Sequence, residues 1–272
     1  MSAESQARAP VVWITGASSG IGEAIARAFA ARGATLVLSS RRCEALEIVA
    51  GSCATATARP TVLPLDLTRP DTFAGAVREV VARHARIDIL VNNGGVSQRS
   101  RVVETTEAVE RAMMEVDYFG TILLTKAVLP QMTAQHSGRV VVISSVMGYV
   151  GTPMRAAYAA AKHALHGWFD SMREEVRASG ISVLIVCPGY VRTSVSFNAL
   201  SADGTPYGRM ESVIERGIPA ERCAAAVLRA LDRGREEILV GGKEIWAARA
   251  KRWFPRTFSR VLRRIVARGG KF

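Results

Sequence analysis

Thr15-Gly16-Ala17-Ser18-Ser19-Gly20-Ile21-Gly22 is the stretch on which the reading of this chain turns. It follows a short apolar run, Val11 to Thr15, and opens a helical stretch from Gly20 to Ala31 that Gly33 ends. A glycine-rich turn between a buried strand and a helix is where a dinucleotide pyrophosphate lands. Gly16 permits the tight turn, Gly20 lets the backbone approach the phosphates, and Gly22 lets the helix pack close to the strand. The helix N-terminus adds free N–H groups and a favourable dipole, so Ser18, Ser19 and Ile21 belong to the same cradle. A purely structural turn is the competing reading, and only the placement after a strand and before a helix argues against it.

Working outward, strands and helices alternate. Strands are expected at Thr35–Ser39, 62–65, 87–91, 140–144, 181–186 and 237–240. Helices are expected at about 44–50, 70–83, 104–132, 156–178 and 220–231. The strands are continuous apolar runs rather than alternating ones, which means burial on both faces under helices. The expected fold is therefore α/β: a doubly wound parallel sheet of Rossmann type, with about seven strands and helices on both faces. One domain is expected over residues 1–245, followed by a separate tail over 246–272.

Composition narrows the classes. The chain has 272 residues, 49% hydrophobic and 22% charged, which is too apolar for disorder. The formal net charge is +12, but nine basic residues and no acid follow Glu244. The basic character therefore sits mostly in the tail, and a nucleic-acid-binding surface over the whole domain is excluded. Cys43, Cys53, Cys187 and Cys223 form no CxxC pair and have no histidines at ligand spacing, so free thiols and no metal are expected. Met1 to Pro10 is polar, and no run approaches the ~18 apolar residues of a membrane span. A cytoplasmic protein, at most attached to a membrane surface, is expected.

Tyr158 and Lys162 lie four apart on an expected helix, so they point the same way. A free tyrosine, with a pKa near ~10, is a poor proton donor or acceptor at neutral pH. A neighbouring ammonium stabilises the phenolate and makes proton exchange with a substrate oxygen accessible. Alone, this pair reads equally well as an amphipathic helix with one packed tyrosine and one exposed lysine; its position after the glycine turn favours the chemical reading.

Together these motifs resemble the short-chain dehydrogenase/reductase family from residue 11 to about 243. The turn has the form T-G-x-x-x-G-I-G, Asn92-Asn93-Gly94-Gly95 resembles N-N-A-G with Gly94 for alanine, Tyr158 to Lys162 matches Y-x-x-x-K, and Pro188-Gly189 matches the P-G after the sixth strand. Residues 92–97, 118–130 and 162–167 resemble the subgroup around 11β-hydroxysteroid dehydrogenase and its membrane-associated relatives. The resemblance implies a serine about thirteen residues before the tyrosine, which selects Ser145 over Ser144. It implies cofactor contacts from Asp66 with Leu67, from Asn92, from Pro188 and Gly189, and from Thr193. It also shows a departure. Where the family has asparagine in an N-x-x-G stretch of the long helix, this chain has Asp117. Asp117 is either a position in the proton relay or a surface or helix-local acid.

The second strand ends in Ser39-Ser40-Arg41-Arg42. An enzyme for NAD usually has an acid there to bind the ribose 2′-hydroxyl. Ser40 followed by Arg41 suits a 2′-phosphate instead, because a guanidinium pairs with phosphate. NADP(H) is the expected cofactor; two solvated arginines opening a helix are the bland alternative. Residues 189–219 read as a substrate lid with apolar members Val195, Phe197, Leu200, Tyr207 and Met210, or else as a plain connector. In the tail, Phe254, Phe258, Val261, Leu262, Ile265 and Val266 recur at helical spacing opposite arginines, among them Arg268. Residues 250–272 then either touch an anionic membrane or cover the domain or a partner subunit. The expected protein is an NADP(H)-dependent oxidoreductase interconverting an apolar carbonyl compound and its alcohol, with a lipid- or steroid-like substrate among the candidates, acting as a homodimer or homotetramer. The alternative is a non-catalytic NADP-binding sensor or scaffold, motivated by Asp117 alone.

Overall fold

The structure is a computed structural model that describes residues 8–55 and 58–267. Strand β1 (Val11–Thr15) runs into the glycine turn and helix α1 (Gly20–Ala30). Then come β2 (Thr35–Ser39), α2 (Cys43–Cys53), β3 (Thr61–Val62), α3 (Phe73–His84) and β4 (Ile89–Asn92). The second half comprises α4 (Glu107–Met114), α5 (Gly120–Ala134), β5 (Gly138–Ile143), α6 (Ala156–Val176) and β6 (Ile181–Pro188). It closes with α7 (Ser212–Glu215), α8 (Ala220–Asp232), β7 (Glu237–Val240), α9 (Trp246–Trp253) and α10 (Pro255–Ala267). The strands form one seven-stranded sheet in the order β3-β2-β1-β4-β5-β6-β7, and every pair is parallel.

Each central strand feeds two cores, because successive side chains leave a strand on opposite faces. Val12 and Ile14 join Ile25 of α1, Leu46 of α2 and Val227 of α8 on one side. Val11 and Trp13 join Phe73 of α3, Leu124 of α5 and Phe169 of α6 on the other. Trp13 is fully buried, and its indole N–H donates to Ser39 Oγ at 2.9 Å. The two-sided burial is why the strands read as unbroken apolar runs.

Three elements depart from the sequence expectation. Strand β3 is only two residues long, although the N–H groups of Leu63 and Leu65 still donate to the Leu38 and Ser40 carbonyls, and Pro64 between them turns its nitrogen to the open edge of the sheet. The long helix expected over 104–132 starts at Glu107 and is interrupted by a π-turn at Glu115–Phe119, with Asp117 at its centre. The tail forms two helices rather than one. Ala247 and Ala248 of α9 pack against Val146 and Val150, beside Ser145, and Phe258 of α10 joins them. Lys251 Nζ donates to the Tyr149 carbonyl at 2.7 Å. Arg268 lies outside the described residues.

Close packing of α1 on β1 depends on Gly22. A Cβ there would collide with the Gly16 carbonyl and lie 2.5 Å from Asn93 Nδ2. Gly22→Ala is expected to destabilise by ~1–3 kcal/mol, the usual cost of forcing an atom into a packed interior. A drop of several degrees in Tm on thermal unfolding checks this; an unchanged Tm would mean that the helix shifts freely.

Candidate active site

A cavity of about 530 Å³ opens at the carboxyl ends of the strands, over the junction of β1 and β4 where the strand order reverses. Gly16, Ser18, Ser19, Gly20 and Ile21 form one wall. Ser40, Arg41, Asp66 and Leu67 line one end, and Ser145, Tyr158, Lys162, Pro188, Gly189 and Thr193 complete it. Gly22, Asn92 and Asp117 lie behind this lining.

The cradle has the properties a pyrophosphate needs. Gly16 and Gly20 have φ of +62° and +60°, where a side chain would be strained. A Cβ on Gly20 would lie 2.9 Å from Thr193 Cγ2. Ser19, the residue before α1, makes no side-chain cap, so the helix's first N–H groups keep their donors and their partial positive charge. These features fit a dinucleotide.

Sequence reasoning missed two residues here. Asn92 was expected at the cleft, but its Nδ2 donates to Thr125 Oγ1 at 2.8 Å, behind the sheet end. Its neighbour Asn93 lines the cavity instead and donates to the carbonyls of Thr15 and Gly16 at 3.0 and 3.1 Å. A strand alternates its side chains, and the register of β4 sets which asparagine faces the cleft. Arg42, for which a solvated helix opener was the alternative reading, reaches back over the turn. Its Nη2 donates to Ser18 Oγ at 3.0 Å and Ser19 Oγ at 2.8 Å. Arg41 is exposed and lines the same end of the cavity. The doubled arginine after β2 was the only signal for either. Asp66 Oδ1 accepts from the N–H and hydroxyl of Thr68, both at 2.9 Å.

Ser144 and Ser145 take different partners. Ser144 Oγ lies 3.0 Å from His166 Nε2. Ser145 caps the short 3-10 turn Val146–Gly148, its Oγ accepting the Met147 N–H at 3.1 Å, and it faces the cavity with Tyr158. Lys162 is buried, with Nζ 5.6 Å from the Tyr158 ring centroid and 3.3 Å from the Ile143 carbonyl it donates to.

Asp117 is fully buried, so the surface-acid reading does not hold. The π-turn swings it under the site. Its Oδ1 accepts the Val96 N–H at 2.7 Å, and its Oδ2 sits 3.2 Å from Lys162 Nζ. Burial pushes the Asp117 carboxyl above the usual carboxylate range, against the pull of Lys162 and the Val96 N–H. Burial alone would lower Lys162; the charge of Asp117, with a further contribution from Tyr158, more than reverses this and holds the ammonium above the ordinary lysine range. The pairing keeps Lys162 itself in its ammonium form beneath Tyr158.

Over the cavity lies the 189–219 segment. Val195 and Leu200 line the cavity, whereas Phe197 and Met210 are exposed. A bridge from Leu200 to Gln98 ties it to the loop after β4, and bridges Leu200–Pro206 and Val191–Ile218 fold the segment on itself.

Comparison with known proteins agrees with this architecture. Residues 10–203 match the short chain dehydrogenase family model. Over 239 residues the chain is 41% identical to Dehydrogenase/reductase SDR family member 7B of Bos taurus, covering 86% of this chain and 74% of that protein. It is 42% identical to Dehydrogenase/reductase SDR family protein 7-like of Anopheles gambiae over 235 residues, 85% of this chain and 74% of that one. A short-chain dehydrogenase from Streptomyces avermitilis superposes with a TM-score of 0.81 at 32% identity, covering 97% of this chain and all of that one.

The Asp117–Lys162 pair makes stability depend on pH. A lysine whose folded value is raised contributes stability that is present below its unfolded value, ~10.4, and is lost as pH rises through the folded one. Asp117→Asn removes the largest influence that raises Lys162 and leaves burial to dominate, so its folded value falls. Thermal unfolding followed from pH 8 to 11 should show the parent losing Tm as pH rises above ~10.4, and the variant holding or gaining Tm over the same range. Superimposable curves would mean that Asp117 does not act on Lys162.

Proposed function

We propose that this chain, which belongs to the short-chain dehydrogenase family, is an NADP(H)-dependent carbonyl reductase and alcohol dehydrogenase for a substrate with an apolar body. That it is an oxidoreductase of CH–OH and C=O groups using a nicotinamide cofactor follows from the family. The observation that carries the finer reading is the shared cavity: the glycine cradle and Arg41 at one end, and Ser145, Tyr158 and Lys162 at the other.

A bound nicotinamide supplies or accepts the hydride. The residues of this chain handle the oxygen and its proton. Ser145 Oγ hydrogen-bonds the substrate oxygen and fixes its position against Tyr158. The Tyr158 hydroxyl gives its proton to that oxygen on reduction and takes it back on oxidation. Lys162, kept cationic by Asp117, stabilises the phenolate left behind and binds the ribose. Asp117 acts here as a positioning residue beneath the lysine, which removes the motive for a non-catalytic sensor or scaffold. Val96, Val116, Val195, Leu200 and Ile214 supply the apolar lining for the body of the substrate.

NADP(H) is favoured over NAD(H) by charge. After β2 there is no acid to repel a 2′-phosphate, and two guanidinium groups stand at that end of the cavity. Assembly as a homodimer or homotetramer belongs to the same proposal.

The tail belongs to it as well. Among the described residues no helix is long and apolar enough to cross a membrane. Trp253, Phe254 and Val261 are 74%, 67% and 46% exposed, beside Arg252, Arg256, Arg260, Arg263 and Arg264. Basic side chains near an anionic leaflet contribute about 1 kcal/mol each and lose this with salt. Peripheral membrane attachment suits an enzyme whose substrate partitions into lipid.

Three measurements test these readings. Tyr158→Phe should abolish reduction of ketones and aldehydes followed at 340 nm while leaving cofactor binding intact; parent-like rates would sink the assignment. Arg41→Ala should weaken NADPH binding at least tenfold more than NADH binding, and a parent enzyme that uses both equally well would refute the charge argument. Sedimentation with phosphatidylserine vesicles should fall with salt and vanish when residues 250–272 are removed; no sedimentation of the intact chain would make the tail purely structural.

A further inference from the structure

A side chamber of about 70 Å³ opens next to Tyr158 and Ser145, off the main cavity. Its walls carry Arg99, Arg155, Tyr190 and Glu244. Arg99 comes from the loop after β4 and Arg155 immediately precedes α6, three residues before Tyr158. Both guanidinium groups are buried, and a single carboxylate answers them. Arg99 donates from Nε and Nη2 to Glu211 Oε2 at 2.8 and 2.6 Å, and Arg155 donates from Nη2 to the same oxygen at 2.9 Å.

The two arginines and the two acids, Glu211 and Glu244, balance in formal charge, but their hydrogen bonds are unevenly shared. Arg99 also donates from Nη1 to Ser97 Oγ at 2.8 Å and to the Gln98 carbonyl at 2.6 Å, so its fork is well used. Among the described residues the Arg155 guanidinium makes one hydrogen bond of ordinary length, from Nη2 to Glu211, and approaches the Tyr190 hydroxyl, which leaves several of its five donors for another acceptor. The second acid on the wall, Glu244, has Oε1 turned to the backbone N–H groups of Tyr190 and Gly242, both at 2.9 Å. Tyr190 adds a buried hydroxyl that faces the Arg155 guanidinium without a hydrogen bond of ordinary length. Burial and the like charge of Arg155 push Arg99 below the ordinary arginine range, even against Glu211. Buried guanidinium donors are costly unless an acceptor, best of all an anion, meets them. The chamber has room for a few atoms, so that anion is small.

We propose that the side chamber binds a carboxylate of the substrate, held by Arg155 and the Tyr190 hydroxyl. The substrate is then an oxo acid or its hydroxy acid, with the apolar body in the main cavity and the carboxylate in the chamber. This rests on the carbonyl-reductase reading and deepens it. A planar fork matches a carboxylate in two parallel bonds, which orients the substrate as well as holding it. Because Arg155 and Tyr158 share one chamber wall, binding the carboxylate would also set where the carbonyl lies against Tyr158.

The competing account is that the triad only clamps Glu211, and with it the 189–219 segment, onto α6. Matched pairs decide. Benzoylformate and 4-oxo-4-phenylbutanoate are each compared with their primary amides in kcat/KM with NADPH. The non-reacting 4-phenylbutanoate and 4-phenylbutanamide are titrated by calorimetry. The parent should prefer at least one oxo acid over its amide by about tenfold or more, the worth of a charge-assisted bond. It should also bind 4-phenylbutanoate more tightly than the amide. In Arg155→Met both preferences should fall towards one. A parent that treats acid and amide alike overturns the proposal, as does a variant that keeps the ratio. The parent comparison needs no substitution, so a misfolded variant does not spoil the test. If no carbonyl compound were turned over at all, the reductase reading would fall while the calorimetric pair still judged the chamber.

Discussion

Strands β1 and β4 lie side by side as neighbours in the sheet, yet the chain leaves them in opposite directions, and the rest of the molecule depends on how that parting is held. The register pairs Val12, Ile14 and the residue between them with Ile89 to Val91. Beyond it the two chains separate. Thr15 Oγ1 accepts the N–H groups of Asn93 and Gly94, both at 3.0 Å, while Asn93 Nδ2 returns to the carbonyls of Thr15 and Gly16. These bonds satisfy backbone groups that the sheet has just abandoned. They also fix the glycine turn relative to the segment that runs on to Val96. The crevice is a consequence of strand order, and the stitching makes it a site of one shape.

From Val96 the constraint passes to the second charged layer. The Val96 N–H holds Asp117, and Asp117 holds Lys162 under Tyr158. A regular α-helix repeats its donors every residue and would carry residue 117 on a fixed spiral. The π-turn at Glu115–Phe119 inserts an extra residue into one turn and so changes which side chain faces inward. Gly120 follows because nothing larger fits: a Cβ there would lie 2.6 Å from the Leu67 carbonyl. The glycine therefore places the segment after β3 against the start of α5, and Asp66 and Leu67 reach the cavity from that segment.

How much of this was legible from sequence varied with the distance over which the cause acts. The seven strands could be read because burial on both faces writes an unbroken apolar run, and the cradle because glycine spacing is local. Ser145, Tyr158 and Lys162 were legible from motif spacing, and the structure brings them to one cavity. The choice between Asn92 and Asn93 was not legible, since it depends on the register of β4 in the sheet. Nor was the return of Arg42 to Ser18 and Ser19, which lie more than twenty residues earlier. The Arg99–Glu211 bond joins residues 112 apart, and no composition or period signals such a contact. Strand β3 was overread because an apolar run does not say where an edge strand stops pairing regularly with its one neighbour.

The distribution of buried charge separates what stabilises this fold from what equips it. Lys162, Asp117, Arg99, Arg155 and Glu211 are all buried, and all lie within the walls or the floor of one crevice. Buried ion pairs of this kind return little or nothing against apolar residues of the same volume, because desolvation cancels most of their attraction. Among the described residues the two apolar layers around β1, β4, β5 and β6 hold no comparable cluster, and they supply the burial that drives folding. A chain under selection for stability alone would have no reason to concentrate five ionisable groups around Tyr158. Their convergence from β4's loop, the π-turn, α6 and the segment before α7 is intelligible if the crevice must present fixed charge to a reacting oxygen without waiting for water to reorganise. The sheet tolerates that cost because the charges occupy its open end, where the strands have already parted and the apolar core has stopped.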